Sequence, residues 1–240
     1  MGDTSQIARI GRLLRPAKIR NAVRRRWFER RLARVQVEPR EPLVHLGTDY
    51  GGWFVPDGLI GPDWLCYSIG AGGDISFDLE LIRRYGCRVR MFEPSPAFAA
   101  DLHAQAAAEP RLTFHPWAIA PSDGELRMWR AEDPRSGALS AANLQNADDS
   151  LVLPAKSLAT TMAELGDHRV DLLKADVEGS EYDLLPTLDL ATMGVRVLCV
   201  ELHHTGSVRQ ARAAIDRLGA AGFRLAHRKD PTSFTFIRSG

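Results

Sequence analysis

The sequence is poor in cysteine and has no long apolar run, and each absence excludes a class of protein. Cys66, Cys87 and Cys199 are far apart and odd in number, without CxxC spacing, so neither a disulfide framework nor a zinc knuckle is supported. No apolar run approaches the roughly 20 residues that span a bilayer. The basic N-terminus lacks the apolar segment of a signal peptide. We therefore expect a cytoplasmic protein, because a reducing compartment suits free thiols.

Length and composition are those of an ordinary globular chain. The 240 residues are 45% hydrophobic and 25% charged, as in most folded domains. The counts of 20 glycines and 14 prolines are close to average, which excludes collagen and a wholly disordered chain. The length suits one domain with an extension, or two small domains, and is sufficient to bury a sizeable core.

Charge is distributed unevenly, although the net charge is only +1. Residues 1–40 hold eleven arginines and one lysine against three acidic residues, a net charge of +9 (12 − 3). The remaining residues hold 19 basic and 27 acidic groups, a net charge of −8. We therefore predict a basic helical arm and linker over residues 1–40 and one acidic domain, the body, over residues 41–240.

The arm carries apolar residues at helical spacing, with arginines between them. One series precedes Pro16 and a second follows it: Ile7, Ile10, Leu13 and Leu14, then Ile19, Val23, Trp27, Phe28, Leu32 and Val35. Pro16 is predicted to separate two amphipathic helices. Such helices pack on their own body, self-associate in a homodimer, or lie on an anionic membrane surface as a peripheral contact. We expect no nucleic acid partner.

In the body, short apolar runs alternate with helical patterns, which is typical of βα units and a parallel sheet. The predicted core elements are strands over 64–69, 87–92, 112–120, 170–177 and 195–202, and helices over 75–85, 96–109, 157–165, 180–188 and 207–222. Residues 124–130 and 150–155 are predicted as peripheral strands joined by a loop, and residues 223–238 as an antiparallel hairpin. Ser180 and Asp183 have the spacing of a capping box.

A glycine-rich turn, SIGAGGD over residues 68–74, joins the first body strand to the first body helix. Its glycines let backbone approach a ligand closely, and Asp74 is placed to cap the helix. Glu93 follows Gly70 by 23 residues and ends the next strand, where an acid accepts hydrogen bonds from ribose hydroxyls. The alternative is a tight turn with a helix-capping carboxylate. We predict an adenosine-containing cofactor on the polar and glycine residues of this region: Ser68, Gly70, Gly72, Asp74 and Glu93.

Two further strands end in charged residues. Lys174, Asp176 and Glu178 alternate after one strand, and Glu201 and His203 follow the next. If the first strand stays extended, its three charges point to one face. Parallel sheets bind ligands at the carboxyl ends of their strands, and charges buried there are costly unless paired. The cluster therefore serves function, or it consists of ion pairs and caps that brace the loops.

The segments that carry these residues resemble the FkbM-type methyltransferases. The similar segments are CYSIGAGGDISFDLELIRRYGCRVRMFEPSP, WAIAPSDGELRMW, LLKADVEGSEYDLL, VELHHTG, GFRLAHRKDPTSFTFIR and YGGWFVPDGLI. The resemblance covers residues 49–238, its KxDxEGxE block is the most specific part, and the arm lies outside it. It implies a class I, Rossmann-like α/β fold, with a seven-stranded, mostly parallel sheet, helices on both faces and an antiparallel final strand.

The resemblance also implies S-adenosyl-L-methionine as methyl donor and, usually, a hydroxyl oxygen as acceptor. It assigns Gly70, Gly72 and Glu93 to the cofactor. It assigns the charged residues after the two later strands to one conserved polar cluster: Lys174, Asp176, Glu178 and Glu201. Ser68 departs from the family, because many members have an acid at this position and a serine supplies no charge.

We predict an O-methyltransferase that acts on a hydroxyl of a sugar, a polyketide or another small-molecule or glycan acceptor. Asp176 or His203 takes the hydroxyl proton, while Lys174 orients the carboxylate or stabilises the alkoxide. The prediction includes no metal, although a divalent ion on the acidic residues is an alternative. Residues 49–60, the 131–150 loop and the 203–209 loop are expected to form the acceptor pocket. The remaining polar residues are assigned to the acceptor: Glu178, Glu201 and His204.

Two other classes of function remain as alternatives. One is a non-catalytic binding module that docks through its basic arm, and the uncharged Ser68 favours this. A nicotinamide-dependent oxidoreductase would share the ribose-binding acid. It is disfavoured because Ile75 stands where the third glycine of the dinucleotide fingerprint falls, and no Tyr-x-x-x-Lys pair is present.

Overall fold

A computed structural model describes residues 16–130, 137–143 and 149–239. The predicted apolar series before Pro16 lies outside these residues, as does most of the predicted loop between the two peripheral strands. Pro16 begins helix α1, Pro16–Leu32, where its fixed φ is compatible with the first turn.

The centre of the protein is a seven-stranded sheet in the order β12-β13-β11-β10-β3-β4-β5. Its strands are β3 Leu65–Ile69, β4 Arg88–Phe92, β5 Leu112–His115, β10 Leu172–Ala175, β11 Val197–Glu201, β12 Phe223–Arg228 and β13 Ser233–Arg238. Neighbouring strands from β11 to β5 are parallel, whereas β13 is antiparallel to both β11 and β12. The predicted βα pattern is thereby confirmed, with a mixed sheet of seven strands.

Side chains alternate across this sheet and form a core on each face. Tyr67 and Leu173 belong to one apolar cluster, while their chain neighbours Cys66 and Leu172 belong to the other. Both clusters are buried because helices cover both faces. The helices of the body are α2 Ser76–Tyr85, α3 Pro96–Ala108, α4 Leu158–Leu165, α5 Glu181–Leu184 and α6 Val208–Ala220.

Two smaller sheets flank the centre. The predicted peripheral strands are confirmed as β7 Gly124–Arg130 and β9 Ser150–Lys156, which pair antiparallel. They form a four-stranded sheet with two short strands, β6 Ala118–Ile119 and β8 Leu139–Ser140. The strand predicted over 112–120 is divided into β5 and β6 at Pro116, which has no amide hydrogen to donate, and β8 was not predicted. A pair of strands that was also not predicted, β1 Leu43–Leu46 and β2 Trp53–Pro56, precedes β3.

The predicted capping box at Ser180 is wrong. The Ser180 hydroxyl donates to the Val177 carbonyl, and α5 has no side-chain cap. Helix α5 lasts only one turn before a 3₁₀ turn at Leu185–Thr187, because Pro186 cannot continue it as an internal helical residue. A capping box forms instead at the start of α6, between Ser207 and Gln210.

The arm packs on the body through one face of α1. Phe28 and Leu32 are 2% and 0% exposed and belong to the same apolar cluster as Tyr67. The segment after α1 follows the sheet edge, where the Glu38 amide donates to the Leu225 carbonyl at 2.8 Å and Arg224 pairs with Glu41. No helix among the described residues is long and apolar enough to cross a bilayer.

Candidate active site

A cavity of about 610 Å³ opens where β3, β4, β10 and β11 end. This volume is in the range of small-molecule sites. Three segments form its walls: the glycine-rich turn 69–74, the 49–53 segment and the accessory sheet of β6 to β9. The position agrees with the rule that open parallel sheets bind ligands at their strand carboxyl ends.

Gly70 and Gly72 of the turn are required for different reasons. Gly70 has φ +72°, and a Cβ there would lie 1.7 Å from the Asp176 carbonyl oxygen, so only glycine lets these two strand ends meet. Gly72 has φ +62° but open space beside it, so its requirement is conformational. The Gly70 amide donates to the Phe92 carbonyl at 2.9 Å, which fixes the turn against β4.

Glu93 closes the turn from the other side. It is 7% exposed, and its Oε2 accepts from the Gly72 amide at 2.9 Å while Oε1 accepts from the Ser95 amide at 2.8 Å. Burial raises the pKa of Glu93, and the two amide bonds and Lys174 oppose this rise. The cavity that Glu93 lines also has apolar side chains, which we call its apolar wall: Phe92, Ile119, Leu126, Met128 and Leu139.

Asp74 anchors the 49–53 segment to the turn. Its carboxylate accepts from the Ser76 amide at 3.0 Å and from the Thr48 hydroxyl. Burial would raise the pKa of Asp74, but these hydrogen bonds prevail and lower it. Helix α2 begins one residue later than predicted, with Ile75 at the N-cap position, yet Asp74 still binds a first-turn amide.

Ser68 is buried beneath the turn and is not among the residues that line the cavity. Its hydroxyl lies near the Asp78 carboxylate without hydrogen-bond geometry. Asp78 is 1% exposed on the inner face of α2, and burial raises its pKa against the charge of Lys174. Asp78 was not predicted as a site residue, although an acid beside Phe77 on an apolar helix face indicates a buried charge.

Lys174 is 4% exposed at the end of β10 and reaches across the sheet. Its Nζ donates to the Gly70 carbonyl at 2.9 Å, so the ammonium ties β10 to the glycine-rich turn. The same charge opposes the rise in pKa that burial causes at Glu93, Asp78 and Asp176. Lys174 thus serves several buried carboxyl groups at once.

His203 is surrounded by carboxylates. Its Nδ1 lies 2.6 Å from Glu181 Oε1, and its Nε2 lies 3.3 Å from Glu178 Oε2 and 3.6 Å from Glu201 Oε1. Burial alone would lower the pKa of His203, but the hydrogen bonds to Glu178 and Glu181 prevail and raise it well above the usual range. Both ring nitrogens thus face carboxylates, an arrangement that favours the protonated form of the imidazole. Glu181 was not predicted as a site residue, although it lies in the same charged block.

The prediction that Lys174, Asp176 and Glu178 point to one face of an extended strand is only partly correct. The strand ends at Ala175, and Glu178 has φ +48°, so the chain turns between Asp176 and Glu178. The turn nevertheless brings the carboxylates of both residues to His203, with possible ligand atoms of all three within 4.8 Å of one another. This triad offers oxygen and nitrogen donors of the kind that divalent metals accept.

Two acids of the cluster hold protons more tightly than usual. Burial raises the pKa of Asp176, opposed by Lys174 and His203, and its Oδ1 has no hydrogen-bond partner within the described part of the chain. Burial and the nearby Asp176 charge raise the pKa of Glu201 to about 7. Shifted pKa values of this kind are typical of functional sites, and that of Glu201 lies near neutral pH.

The expected acceptor residues separate in the structure. Glu178, Glu201 and His203 line the cavity, as does Tyr50 of the 49–60 segment, whose backbone carbonyl accepts from Lys229 at 2.9 Å. His204 does not line it. Its backbone carbonyl instead accepts a hydrogen bond from Arg24 of the arm, because the chain turns outward after His203.

Comparison with known proteins gives one family. Residues 67–225 match the family described as the methyltransferase FkbM domain. A probable methyltransferase-like protein 24 from Rattus norvegicus is 27% identical over 169 residues, which are 68% of this chain and 40% of that protein. Its Homo sapiens counterpart is 28% identical over 144 residues, 58% of this chain and 33% of that protein. The chain thus spans well under half the length of these curated relatives.

Solved structures with a similar arrangement include two archaeal fibrillarins. The Methanococcus jannaschii fibrillarin pre-rRNA processing protein is 12% identical, with a TM-score of 0.44 over 75% of this chain and 68% of that chain. The Aeropyrum pernix fibrillarin, crystallised with natively bound S-adenosyl-L-methionine, is 11% identical, with a TM-score of 0.43 over 86% and 85%. Scores this low carry no functional argument, so the assignment follows from the domain match. The chain belongs to the FkbM methyltransferase family, and its cofactor is S-adenosyl-L-methionine.

Proposed function

We propose that this chain transfers a methyl group from S-adenosylmethionine to a hydroxyl oxygen of a small-molecule or glycan acceptor. The main observation behind the proposal is that one cavity contains both a candidate cofactor site and a cluster of charged residues. We call Glu93 and the glycine-rich turn the first end of the cavity and Asp176, His203 and Glu201 its second end, and all of them line it. Methyl transfer to oxygen needs both a cofactor site and a proton acceptor within reach of the same substrate.

The residues at the first end fit the cofactor. Each Glu93 oxygen accepts one backbone amide, which leaves further lone pairs for the hydroxyls of a ribose. The apolar wall of Phe92, Ile119 and Met128 suits an adenine ring. Acidic groups further along the cavity suit the cationic part of the cofactor. When bound, S-adenosylmethionine supplies an electrophilic methyl group on a sulfonium.

At the second end we assign the base to Asp176. Both ring nitrogens of His203 face glutamate carboxylates, so neither is free to take a proton from an acceptor, whereas the Asp176 carboxylate lines the cavity. His203 then stabilises the negative charge that develops on the acceptor oxygen. Lys174 holds the turn at Gly70, so it positions the two ends relative to each other. A positioned base contributes about 10²–10⁴-fold to such a step.

Binding of S-adenosylhomocysteine tests the cofactor end. Calorimetry and the thermal midpoint should show micromolar binding, with stabilisation of about 2.7 kcal/mol at 100 times Kd. Glu93→Ala should abolish this binding, and Glu93→Gln should weaken it because an amide nitrogen would then face a backbone amide. The exposed Glu125→Ala is the matched control and should bind normally. Absence of binding up to millimolar ligand in the unchanged protein would favour the non-catalytic module.

Methyl transfer to hydroxyl acceptors tests the second end. His203→Ala removes the group that we propose stabilises charge on the acceptor oxygen, but it leaves Asp176, the proposed base, in place. The rate of methyl transfer should therefore fall while the proton still passes to Asp176. The assay includes a chelator, because Asp176, Glu178 and His203 have the donor set of a metal site. We expect activity to change less than about twofold on chelation. A loss that Mg²⁺ restores would replace Asp176 as base by a metal-bound oxygen.

A further inference from the structure

Helix α1 has two apolar faces, and only one of them packs on the body. Phe28 and Leu32 are buried against the sheet. On the opposite side, Ile19, Val23 and Trp27 follow one another at every fourth residue and are 50%, 63% and 51% exposed. These are three of the five large hydrophobic side chains that are exposed in the described part of the chain. We call Ile19, Val23 and Trp27 the outer stripe.

Arginines border the outer stripe on both sides. At 100° per residue, Arg26 lies along one edge and Arg20 and Arg31 lie along the other, while Arg30 follows the stripe within its angular range. The Arg31 guanidinium is 5.4 Å from the centre of the Trp27 ring. In all, α1 holds seven basic residues against one acid. Within the described residues, Arg26 and Arg30 have no ion-pair partner.

The positive surface continues onto helix α6. A groove between the two helices is lined by Trp27 and Arg31 on one side and by Val208, Arg209, Arg212, Ala213 and Asp216 on the other, so arginines outnumber acids there by three to one. Arg24 donates to the carbonyls of His204 and Thr205 at 2.6 Å, so α1 is fastened to the loop after β11. The outer stripe is therefore held in a fixed position on the body.

We propose that the outer stripe and its arginines bind the surface of an anionic lipid bilayer. Apolar side chains with a tryptophan, bordered by arginines, match the acyl boundary and the phosphate layer of such a surface. The charge of this surface disfavours a second copy of the chain as its binding partner. An isologous contact through this face would place arginines against arginines.

Vesicle binding by the full chain tests the proposal. We expect cosedimentation with vesicles of 70% phosphatidylcholine and 30% phosphatidylglycerol, and at least about tenfold weaker partition onto phosphatidylcholine alone. The Ile19→Gln/Val23→Gln/Trp27→Gln variant keeps the charge and should lose about tenfold or more in partition. The matched control is Val152→Gln, which changes an exposed valine on β9 and should bind as the unchanged protein does.

Charge is tested separately. Arg26→Gln/Arg30→Gln should lower partition onto anionic vesicles by about tenfold and weaken its dependence on salt. Arg83→Gln/Arg88→Gln removes the same charge from a distant surface, and it should change partition less than about twofold. The four arginines are exposed, so the thermal midpoints of both charge variants should remain close to that of the unchanged protein.

Quenching of tryptophan fluorescence by brominated lipid gives a second readout that does not depend on the multiple variants. The unchanged protein should be quenched on anionic vesicles, and Trp27→Phe should lose most of that quenching. The proposal is overturned if neither vesicle is bound or if both are bound equally. It is also overturned if the stripe variant converts a dimer to a monomer, or if a polynucleotide binds this face and anionic vesicles do not.

Discussion

The two ends of the cavity hold their polar side chains in different ways. At the glycine-rich turn, Glu93 binds backbone amides, and Asp74 binds an amide and a hydroxyl. At the other end, His203 pairs with the side chains of three glutamates that come from two separate strand ends. The first end is therefore fixed by backbone geometry, whereas the second depends on charges that must balance one another.

This difference predicts which changes alter the fold and which alter the chemistry. Backbone groups cannot be removed by a side-chain substitution, so the turn fails only where its shape is violated. Charged groups can be neutralised one at a time, so the cluster should respond in rate and in pH dependence while the fold remains. The following changes test this contrast.

The largest effect is expected at Gly70, where the two ends touch. Gly70→Ala would place a Cβ 1.7 Å from the Asp176 carbonyl at φ +72°, which we expect to lower the free energy of unfolding by more than about 3 kcal/mol. Gly72→Ala is the matched control, since it has similar φ but open space, and should cost about 1–2 kcal/mol. Urea unfolding measures both. Equal losses for the two variants would contradict the close approach of β3 and β10.

A large effect on rate without one on folding is expected at Asp176. Asp176→Asn keeps the shape of the side chain but removes its ability to take a proton, so methyl transfer should fall by about 10²–10⁴-fold. Affinity for S-adenosylhomocysteine should change by less than about threefold, because the substitution leaves Glu93 and the turn intact. Asp101→Asn on the exposed side of α3 is the control. Unchanged turnover in Asp176→Asn would remove Asp176 as the base.

A smaller effect is expected in the pH dependence of stability. Burial and Asp176 raise the pKa of Glu201 to about 7 from 4.5, so the folded state keeps a proton that the unfolded chain releases. Stability should therefore be greatest below about pH 4.5 for this group and fall as pH rises through 7, by on the order of 2 kcal/mol. Glu201→Gln should flatten this fall, as measured by urea unfolding at pH 5, 6, 7 and 8.

The matched control for this comparison is Glu125→Gln, because Glu125 is exposed on β7. It should leave the pH dependence as it is in the unchanged protein. The raised pKa of His203 adds a loss of stability of the same sign at higher pH, so Glu201→Gln should retain part of the slope. If the free energy of unfolding depends on pH equally in Glu201→Gln and Glu125→Gln, Glu201 is not the group that keeps a proton in the folded state.

The smallest effect is expected at Ser68. Its hydroxyl is buried outside the cavity wall and forms no hydrogen bond with Asp78. Ser68→Ala should therefore change the free energy of unfolding by less than about 1 kcal/mol and leave S-adenosylhomocysteine affinity unchanged. A tenfold loss of affinity in calorimetry would restore Ser68 as a cofactor contact, and the turn would then depend on a side chain after all.

Prediction from sequence succeeded where the signal was local. The alternation of apolar runs predicted β3, β4, β10 and β11, and the SIGAGGD segment with Glu93 predicted the position of the turn. It failed where a structure depended on partners elsewhere in the chain. The strands β1, β2 and β8 are two to four residues long, and they are defined by pairing with other segments rather than by periodicity.

By itself the sequence determined the sheet, its buried faces and the residues available at the strand ends, because side-chain alternation and glycine conformations are local properties. The tertiary structure decided which of those residues meet. It placed Glu181 rather than Asp176 on the Nδ1 of His203, put Asp78 beneath the turn beside Lys174, and directed Phe28 inward but Trp27 outward. Such pairings depend on which strands become neighbours and on where a helix docks, and these follow from the packing of the whole chain.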